Sequence, residues 1–366
     1  MEIDRVPIKA AIVGCGKMAE VHADIINYLP YAELIATCDS EVLMARQLAE
    51  RFRAKNYYDN IDRLLAEAKP DVVHITTPPQ THYAIGKICI EAGSHIFVEK
   101  PFTVNYQEAK ELIDVAKAKG IKLTVGTDEQ FSIVATKARD LIKDGWLGGR
   151  PVHLDVFYCY DMSDERYTKS FLKNKSHWVW KLPGQMIQNI IPHAVMKIAE
   201  YIDYSFELIA MGFTSNYFLK LGEKQLMDEL RVMMVDKNQM TAFLSFSTQM
   251  KPAMIQFRIL GPKNGIVIDE VQQSIIKLHG RKYKSYLERF VPLYKYSKQY
   301  KKNFYNNLKL FIKREFHMKR GLYNLIKLFY KSVENDQAPP ISYEDILKCS
   351  KITDMIIKQI YKENLG

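Results

Sequence analysis

Over the first third of the chain, short apolar runs alternate with segments of helical spacing. Residues 8–13 (IKAAIV) have strand character, and from 18 to 29 the apolar positions recur at the helical period. A strand at 33–38 follows, then helices at about 43–52 and 61–68 and a strand at 71–77. A helix at about 82–92, a strand at 95–98, a helix at about 106–119 and a strand at 122–125 complete the series, which closes at Gly126. Such alternation predicts an α/β Rossmann domain, a doubly wound parallel sheet, over residues 1–128.

Beyond Gly126 the alternation stops. Residues 152–160 alternate apolar with polar, and further strand candidates lie near 207–217, 229–235, 241–248, 253–261 and 265–269. Strands without helices between them predict an α+β domain with a largely antiparallel open sheet, over residues 129–340. Asp336-Gln337-Ala338-Pro339-Pro340 marks a linker. Ser342 and Asp345 read as the capping box of a last helix, about 343–361, so residues 341–366 are expected to pack back on the body.

Composition narrows the class. The chain has 366 residues, 47% apolar and 26% charged, which excludes a mostly disordered polymer. The longest charge-free run in the apolar middle, 182–196, is interrupted by Pro, Gly, Gln, Asn and His, far from the ~20 apolar residues of a membrane span. The first five residues lack the basic flank and apolar stretch of a secretory signal. Cys15, Cys38, Cys89, Cys159 and Cys349 are scattered without a CxxC pair, and the nine histidines are dispersed. The expectation is a reduced, cytoplasmic protein with neither disulfide framework nor metal site.

The net charge of +10 is local. Residues 281–331 carry 15 Lys/Arg against two acids, and the remainder is close to neutral. The same segment holds 13 aromatic residues. Tyr296, Tyr300, Phe304, Leu308 and Ile312 recur every four residues with lysines between them, an amphipathic basic helix. Two uses stand open: the aromatic stripe packs on the body with solvated lysines, or the helix meets an anionic membrane surface or an anionic substrate. In the second case the protein is membrane-peripheral. No nucleic-acid partner is expected, because no helix-turn-helix, zinc or RNA-binding signature accompanies the charge.

The candidate chemistry begins at Gly14-Cys15-Gly16-Lys17-Met18-Ala19, placed between a strand and a helix. Gly14 would make the tight turn, Gly16 would admit a pyrophosphate, and Ala19 would let helix and strand pack closely. The N–H groups of Cys15, Lys17 and Met18 then face phosphate at a helix start. Asp39 ends the second strand, 25 residues after Gly14, where an acid accepts from ribose hydroxyls and repels a 2′-phosphate. Ser40 and Glu41 follow without a neighbouring cation, so NAD is favoured and NADP is the alternative.

These pieces resemble one family. Gly14-Cys15-Gly16, Thr77-Pro78-Pro79-Gln80-Thr81-His82, Ala92-Gly93-Ser94-His95-Ile96-Phe97-Val98-Glu99-Lys100-Pro101 and Gly145-Trp146-Leu147-Gly148 are similar, in order and spacing, to motifs of the glucose–fructose oxidoreductase/inositol dehydrogenase (Gfo/Idh/MocA) group. The likeness is dense over residues 8–150 and weak beyond 200. It implies an NAD(P)-dependent enzyme interconverting a hydroxyl and a keto group on a sugar, nucleotide sugar or cyclitol. It also implies Thr77, Pro78, His82, Glu99 and Lys100 near the cofactor, Lys100 beside the substrate, a cis Lys100–Pro101 bond, and a homo-oligomer through the C-terminal sheet.

The family's second motif, a glycine-rich turn and D-x-x-x-H, is matched by Gly184 to His193 with Asn189 in the aspartate's place. His193 is then the second proton carrier beside Lys100, and Asn189, unable to ionise, is a substrate contact or a helix cap. Tyr158, Trp180 and Lys181 complete the expected substrate contacts, with an aromatic face for a sugar ring and an ammonium for a phosphate or carboxylate. Gln130 precedes Phe131 where the family often has Arg. Two alternatives stay open: a cofactor-holding scaffold without turnover, for which the lost aspartate speaks, and a membrane-peripheral component of glycan assembly.

Overall fold

A computed structural model of the chain describes residues 6–162, 164–313 and 319–362. Residues 1–5, read above for a leader, and 314–318 of the basic segment lie outside the described residues.

The chain forms two compact units. One comprises the residues up to Thr127 together with Tyr323–Lys351; the other comprises Asp128–Leu322 and the residues from Ile352 onward. Residues 323–351, which the sequence pattern divided between the second domain and a terminal helix, thus cluster with the N-terminal sheet.

In the first unit six strands, β1 (Ile8–Val13), β2 (Ala32–Cys38), β3 (Asn56–Tyr58), β4 (Val72–Ile75), β5 (His95–Val98) and β6 (Leu123–Val125), form a sheet in the order β3-β2-β1-β4-β5-β6. Every pair is parallel. Ala10, Ala11, Ile12, Val72, Val73, Ile75, Ile96, Phe97 and Val98 are buried, because crossover helices cover both faces of a parallel sheet. The helices start on legible caps: Asn60 Oδ1 accepts from Arg63 N–H, and Asn105 Oδ1 accepts from Glu108 N–H. Strand order reverses between β1 and β4, which opens a crevice at their carboxyl ends. The short edge strand β3 escaped the sequence pattern because it is half exposed and has no apolar run.

The second unit is built on seven strands: β7 (His153–Cys159), β8 (Phe206–Phe213), β9 (Glu229–Asp236), β10 (Thr241–Ser247), β11 (Ile255–Leu260), β12 (Asn264–Asp269) and β13 (Ser274–His279). Their order is β13-β12-β11-β7-β10-β9-β8, antiparallel except for the β7–β10 pair. One face, with Leu154, Val156, Leu244, Phe246, Phe257 and Ile259, is buried. On the other face Ile209, Met233 and Phe243 stand in one register row and are exposed.

Strand β13 was hidden in the sequence by the basic segment that follows it. Its outer edge is covered by the helix Val291–Ile312, but not through the aromatic stripe. Gln299 accepts from Lys277 N–H and donates to Lys277 C=O, Asn303 donates to Ile275 C=O, and Asn307 donates to Gln272 C=O. Tyr300, Phe304, Leu308 and Ile312 are exposed. Packing of that stripe on the body is therefore overturned: an edge strand has backbone groups to satisfy, and amide side chains do this where aromatic rings cannot.

Candidate functional sites

In the first unit, the loops at the carboxyl ends of β1, β4 and β5 hold most of the residues singled out by sequence. Gly14 adopts φ +91°, and a Cβ there would lie 2.6 Å from the Thr77 side chain and backbone nitrogen. The turn is pinned from both sides, since Gly14 N–H donates to Cys38 C=O at 2.8 Å and Thr76 Oγ1 donates to Gly14 C=O. Above Gly16 the situation is opposite: a Cβ would meet nothing within 4 Å. The helix Lys17–Tyr28 starts there without a side-chain cap, Lys17 is exposed, and Met18 is half-buried. An open cradle against bare N–H groups fits the pyrophosphate of a dinucleotide.

Asp39 stands beside this turn. Its Oδ2 accepts from Cys15 N–H at 2.7 Å and its Oδ1 from Glu41 N–H at 2.9 Å. Oδ1 also faces the Ser40 hydroxyl at 3.5 Å, and Oδ2 keeps a lone pair for a ribose hydroxyl. The Cys15 amide is thus engaged by Asp39, and its thiol is buried, which pushes its pKa up to about 12. Cys15 shapes the turn instead of presenting a group to phosphate.

His82 and Glu99 require a similar correction. His82 is fully buried at the start of the helix His82–Glu91, and its ring nitrogens face Pro101 C=O at 2.9 Å and Thr77 C=O at 2.8 Å. Both ring nitrogens are directed at backbone carbonyls of two loops, and the neutral ring donates to one of them, so neither nitrogen points toward a cofactor. Burial lowers its pKa, against the pull of the carbonyls. Thr77 accepts from Thr81 at 2.7 Å and is half-buried, and Pro78 is exposed at the same edge.

Glu99 points inward. Its Oε1 lies 2.9 Å from His22 Nε2, His22 Nδ1 lies 2.7 Å from His74 Nδ1, and His74 Nε2 lies 2.7 Å from Tyr330 Oη. All four residues are buried, and Phe97 stacks on His74 at 5.0 Å. One tautomer set satisfies the whole chain: the Tyr330 hydroxyl donates to His74, His74 donates to His22, and His22 donates to the Glu99 carboxylate. Burial would raise the Glu99 pKa, but the His22 hydrogen bond, the electrostatic pull of His22 and Lys100 and the Lys100 N–H bring it below the usual range. Burial and His22 hold the His74 imidazole well below its ordinary value of 6.5, hence neutral. Glu99 Oε2 also accepts from Lys100 N–H at 3.2 Å, so this relay positions the backbone that carries Lys100. Lys100 is half-buried and precedes a cis bond to Pro101.

Sequence reasoning missed His22, His74 and Tyr330. The available signal was His22 on the buried stripe of its helix and His74 inside an otherwise apolar strand.

In the second unit, His193 sits on the helix Pro192–Ala199 with its ring parallel to Tyr158, centroids 6.4 Å apart. Asp128 Oδ1 lies 3.9 Å from His193 Nδ1. The Tyr158 hydroxyl donates to Glu129 Oε1 at 2.8 Å, and Lys197 Nζ bridges Glu129 at 3.1 Å and Glu270 at 3.2 Å. Burial alone would lower the Lys197 pKa, but Glu270 and Glu129 reverse this and hold the ammonium charged. Burial likewise opposes ionisation of Glu129, which Lys197, His193 and the Tyr158 hydroxyl restore. Tyr158 stays a phenol, raised by burial and by Glu129. Asp128, Glu129, Lys197 and Glu270 carried no sequence motif; only the fold gathers them.

Asn189 does not cap the His193 helix. The helix Gln185–Ile190 runs into Pro192 through Ile191, which is itself helical and occupies the cap position without a side-chain bond. Asn189 instead lines a cavity of about 230 Å³ with Tyr160, Phe171 and His177. Trp180 stacks on Phe171 at 5.1 Å, and the Lys175 ammonium lies 3.7 Å from the indole centroid, so the ring is already engaged by both. Lys181 is exposed.

Residues 8–127 match the sequence model of an oxidoreductase family described by its NAD-binding Rossmann fold. Two characterised relatives are a D-glucoside 3-dehydrogenase of Escherichia coli (strain K12) and a UDP-N-acetylglucosamine 3-dehydrogenase of Acidithiobacillus ferrooxidans. The first is 33% identical over 39% of this chain and 41% of the relative, the second 32% identical over 32% and 36%. The matched region thus spans about two fifths of such relatives. Solved structures cover nearly all of both chains. The WlbA dehydrogenase of Bordetella pertussis, in complex with NADH and UDP-GlcNAcA, superposes with a TM-score of 0.77 at 17% identity over 99% of this chain and 98% of that one. The A. ferrooxidans enzyme superposes with a TM-score of 0.71 at 16% identity over 97% and 98%. These show that the fold of both units is shared.

Proposed function

From the membership of residues 8–127 in the Gfo/Idh/MocA oxidoreductase family, we propose that this protein is an NAD(P)-dependent dehydrogenase or reductase of a sugar derivative, interconverting a hydroxyl and a keto group. The observation that carries this reading is the open cradle above Gly16 beside a carboxylate, Asp39, locked onto the glycine turn. When bound, the nicotinamide dinucleotide supplies the hydride acceptor or donor.

The chain's own residues handle the protons. Lys100 hydrogen-bonds the reacting oxygen and polarises it, held in place by the Glu99 relay. His193 takes the hydroxyl proton on oxidation and returns it on reduction. The Asp128 carboxylate near its Nδ1 stabilises the imidazolium so formed, the part an acid plays beside a catalytic histidine. Asn189 offers an amide that orients substrate and carries no proton. The exposed Lys181 ammonium suits an anionic substituent, and with relatives and neighbours named for nucleotide sugars this favours a nucleotide sugar. The exposed row Ile209, Met233 and Phe243 is the proposed contact between copies of the chain.

The test is the nicotinamide absorbance change over a panel of sugars, cyclitols and nucleotide sugars. Turnover is expected with at least one nucleotide sugar, and Lys100→Ala should lower kcat by roughly 10²–10⁴-fold with NAD affinity nearly unchanged. A non-catalytic scaffold, the reading that Asn189 supports, predicts NAD binding without turnover on every member of the panel.

A further inference from the structure

The helix Val291–Ile312 divides into three longitudinal sectors. Inward lie Gln299 and Asn303, bonded to the edge of β13, and Asn307, bonded to Gln272 just before it. Outward lie Leu293 near its start and Phe304, Leu308, Phe311 and Ile312 near its end, with Phe290 just before it, each at least 42% exposed. A lysine flank, Lys298, Lys302 and Lys309, runs beside the apolar sector and is also exposed. The helix contains five lysines and no acid. Lys298 and Lys302, with Lys137 and Lys277, line a groove of about 580 Å³ that also contains Asp140 and Asp144.

Exposed aromatic and aliphatic side chains gathered over the last turns of one helix are costly in water and are not scattered. The cationic flank sets the character of whatever covers them: the partner is apolar within and anionic at its surface. Among the described residues no helix is long and apolar enough to cross a membrane. Lysines beside large apolar side chains suit a helix that lies in an interface plane, with rings and aliphatic chains dipping into the acyl boundary and ammonium groups at headgroup phosphates. We propose that this helix docks the protein on the surface of an anionic phospholipid bilayer.

The test is co-sedimentation of the whole protein with vesicles of phosphatidylglycerol and phosphatidylcholine, against vesicles of phosphatidylcholine alone. Binding is expected to the anionic vesicles and to weaken as salt rises. The charge reversal Lys298→Glu/Lys302→Glu/Lys309→Glu should weaken it by roughly a hundredfold or more, since each basic residue near such a surface contributes about fivefold. Phe304→Ser/Leu308→Ser/Phe311→Ser should weaken it by about tenfold or more through lost apolar burial. Both variants change exposed side chains, and unchanged circular dichroism checks that they fold. Equal binding to neutral vesicles, or no binding to anionic ones, overturns the proposal. So does light scattering in which the serine variant converts a dimer to a monomer while vesicles stay unbound, because the face then belongs to a second copy of the chain.

Discussion

At the scale of single residues, the most informative contacts run between side chain and backbone. Asp39 shows this: in the proposed scheme it meets the ribose, and in the structure it holds the Cys15 amide. Asp39→Ser should therefore do two things. It should shift the NAD-to-NADP preference toward NADP by roughly tenfold or more, since a like-charge repulsion of several kcal/mol is removed. It should also lower the melting temperature slightly, because a charge-assisted bond to the turn is lost. Coenzyme kinetics and a thermal melt check both. Asp128 acts through His193 and touches no substrate in the proposed scheme. Asp128→Asn is expected to lower kcat by roughly ten- to hundredfold with KM little changed, and to move the acid limb of the pH–rate profile. A purely structural role would leave that limb in place.

The glycine turn, Asp39 and the Glu99-Lys100-Pro101 strand end were legible in the sequence because each is a local backbone requirement. Glu129, Lys197, Glu270 and Tyr330 were not, since their partners are distant along the chain; His74 and Tyr330 are 256 positions apart.

At the scale of elements, the segment 323–351 adds to the N-terminal sheet a buried helix face whose Tyr330 terminates the relay from Glu99. Tyr330→Phe leaves His74 Nε2 buried without its donor and should cost about 1–3 kcal/mol, read as a lower midpoint in urea. Two buried histidines of this unit, one in the relay and one beside it, set an acid limit. His74 and His82 are held neutral in the folded state, both shifted below the ordinary 6.5. The unfolded chain therefore binds more protons below that value. Stability contributed by their neutral forms is complete above pH 6.5 and declines as pH falls from there. The depressed Glu99 pKa adds a further loss below its ordinary 4.5. Melts between pH 7.5 and pH 5 should show a falling melting temperature in wild type, with the steepest fall beginning near pH 6.5.

For the helix Val291–Ile312, periodicity identified the element correctly but could not orient it. An aromatic stripe reads as core in most helices. Here the unsatisfied edge of β13 recruited the amide stripe and turned the rings outward.

At the scale of the whole molecule, the open sheet of the second unit presents Ile209, Met233 and Phe243 to solvent on adjacent strands. If this row is where copies meet, Met233→Glu/Phe243→Glu should shift the mass measured by light scattering to that of a monomer. The substitutions lie on the face opposite the core, so the fold should persist.

Hydrophobic periodicity and turn chemistry by themselves determined most of the first unit's elements, its parallel sheet, the mainly antiparallel second sheet and the glycine turn that suits a dinucleotide. Those are properties of neighbours in sequence: alternation, spacing and the demands of one backbone position. Tertiary structure alone decided that His82 is a loop clamp, that Glu99 faces a buried histidine relay, that Asn189 lines a cavity instead of capping a helix, and that the basic helix turns its rings outward. Each of those outcomes depends on which distant polar group must be satisfied once water is excluded, and that accounting cannot be made until the chain has folded.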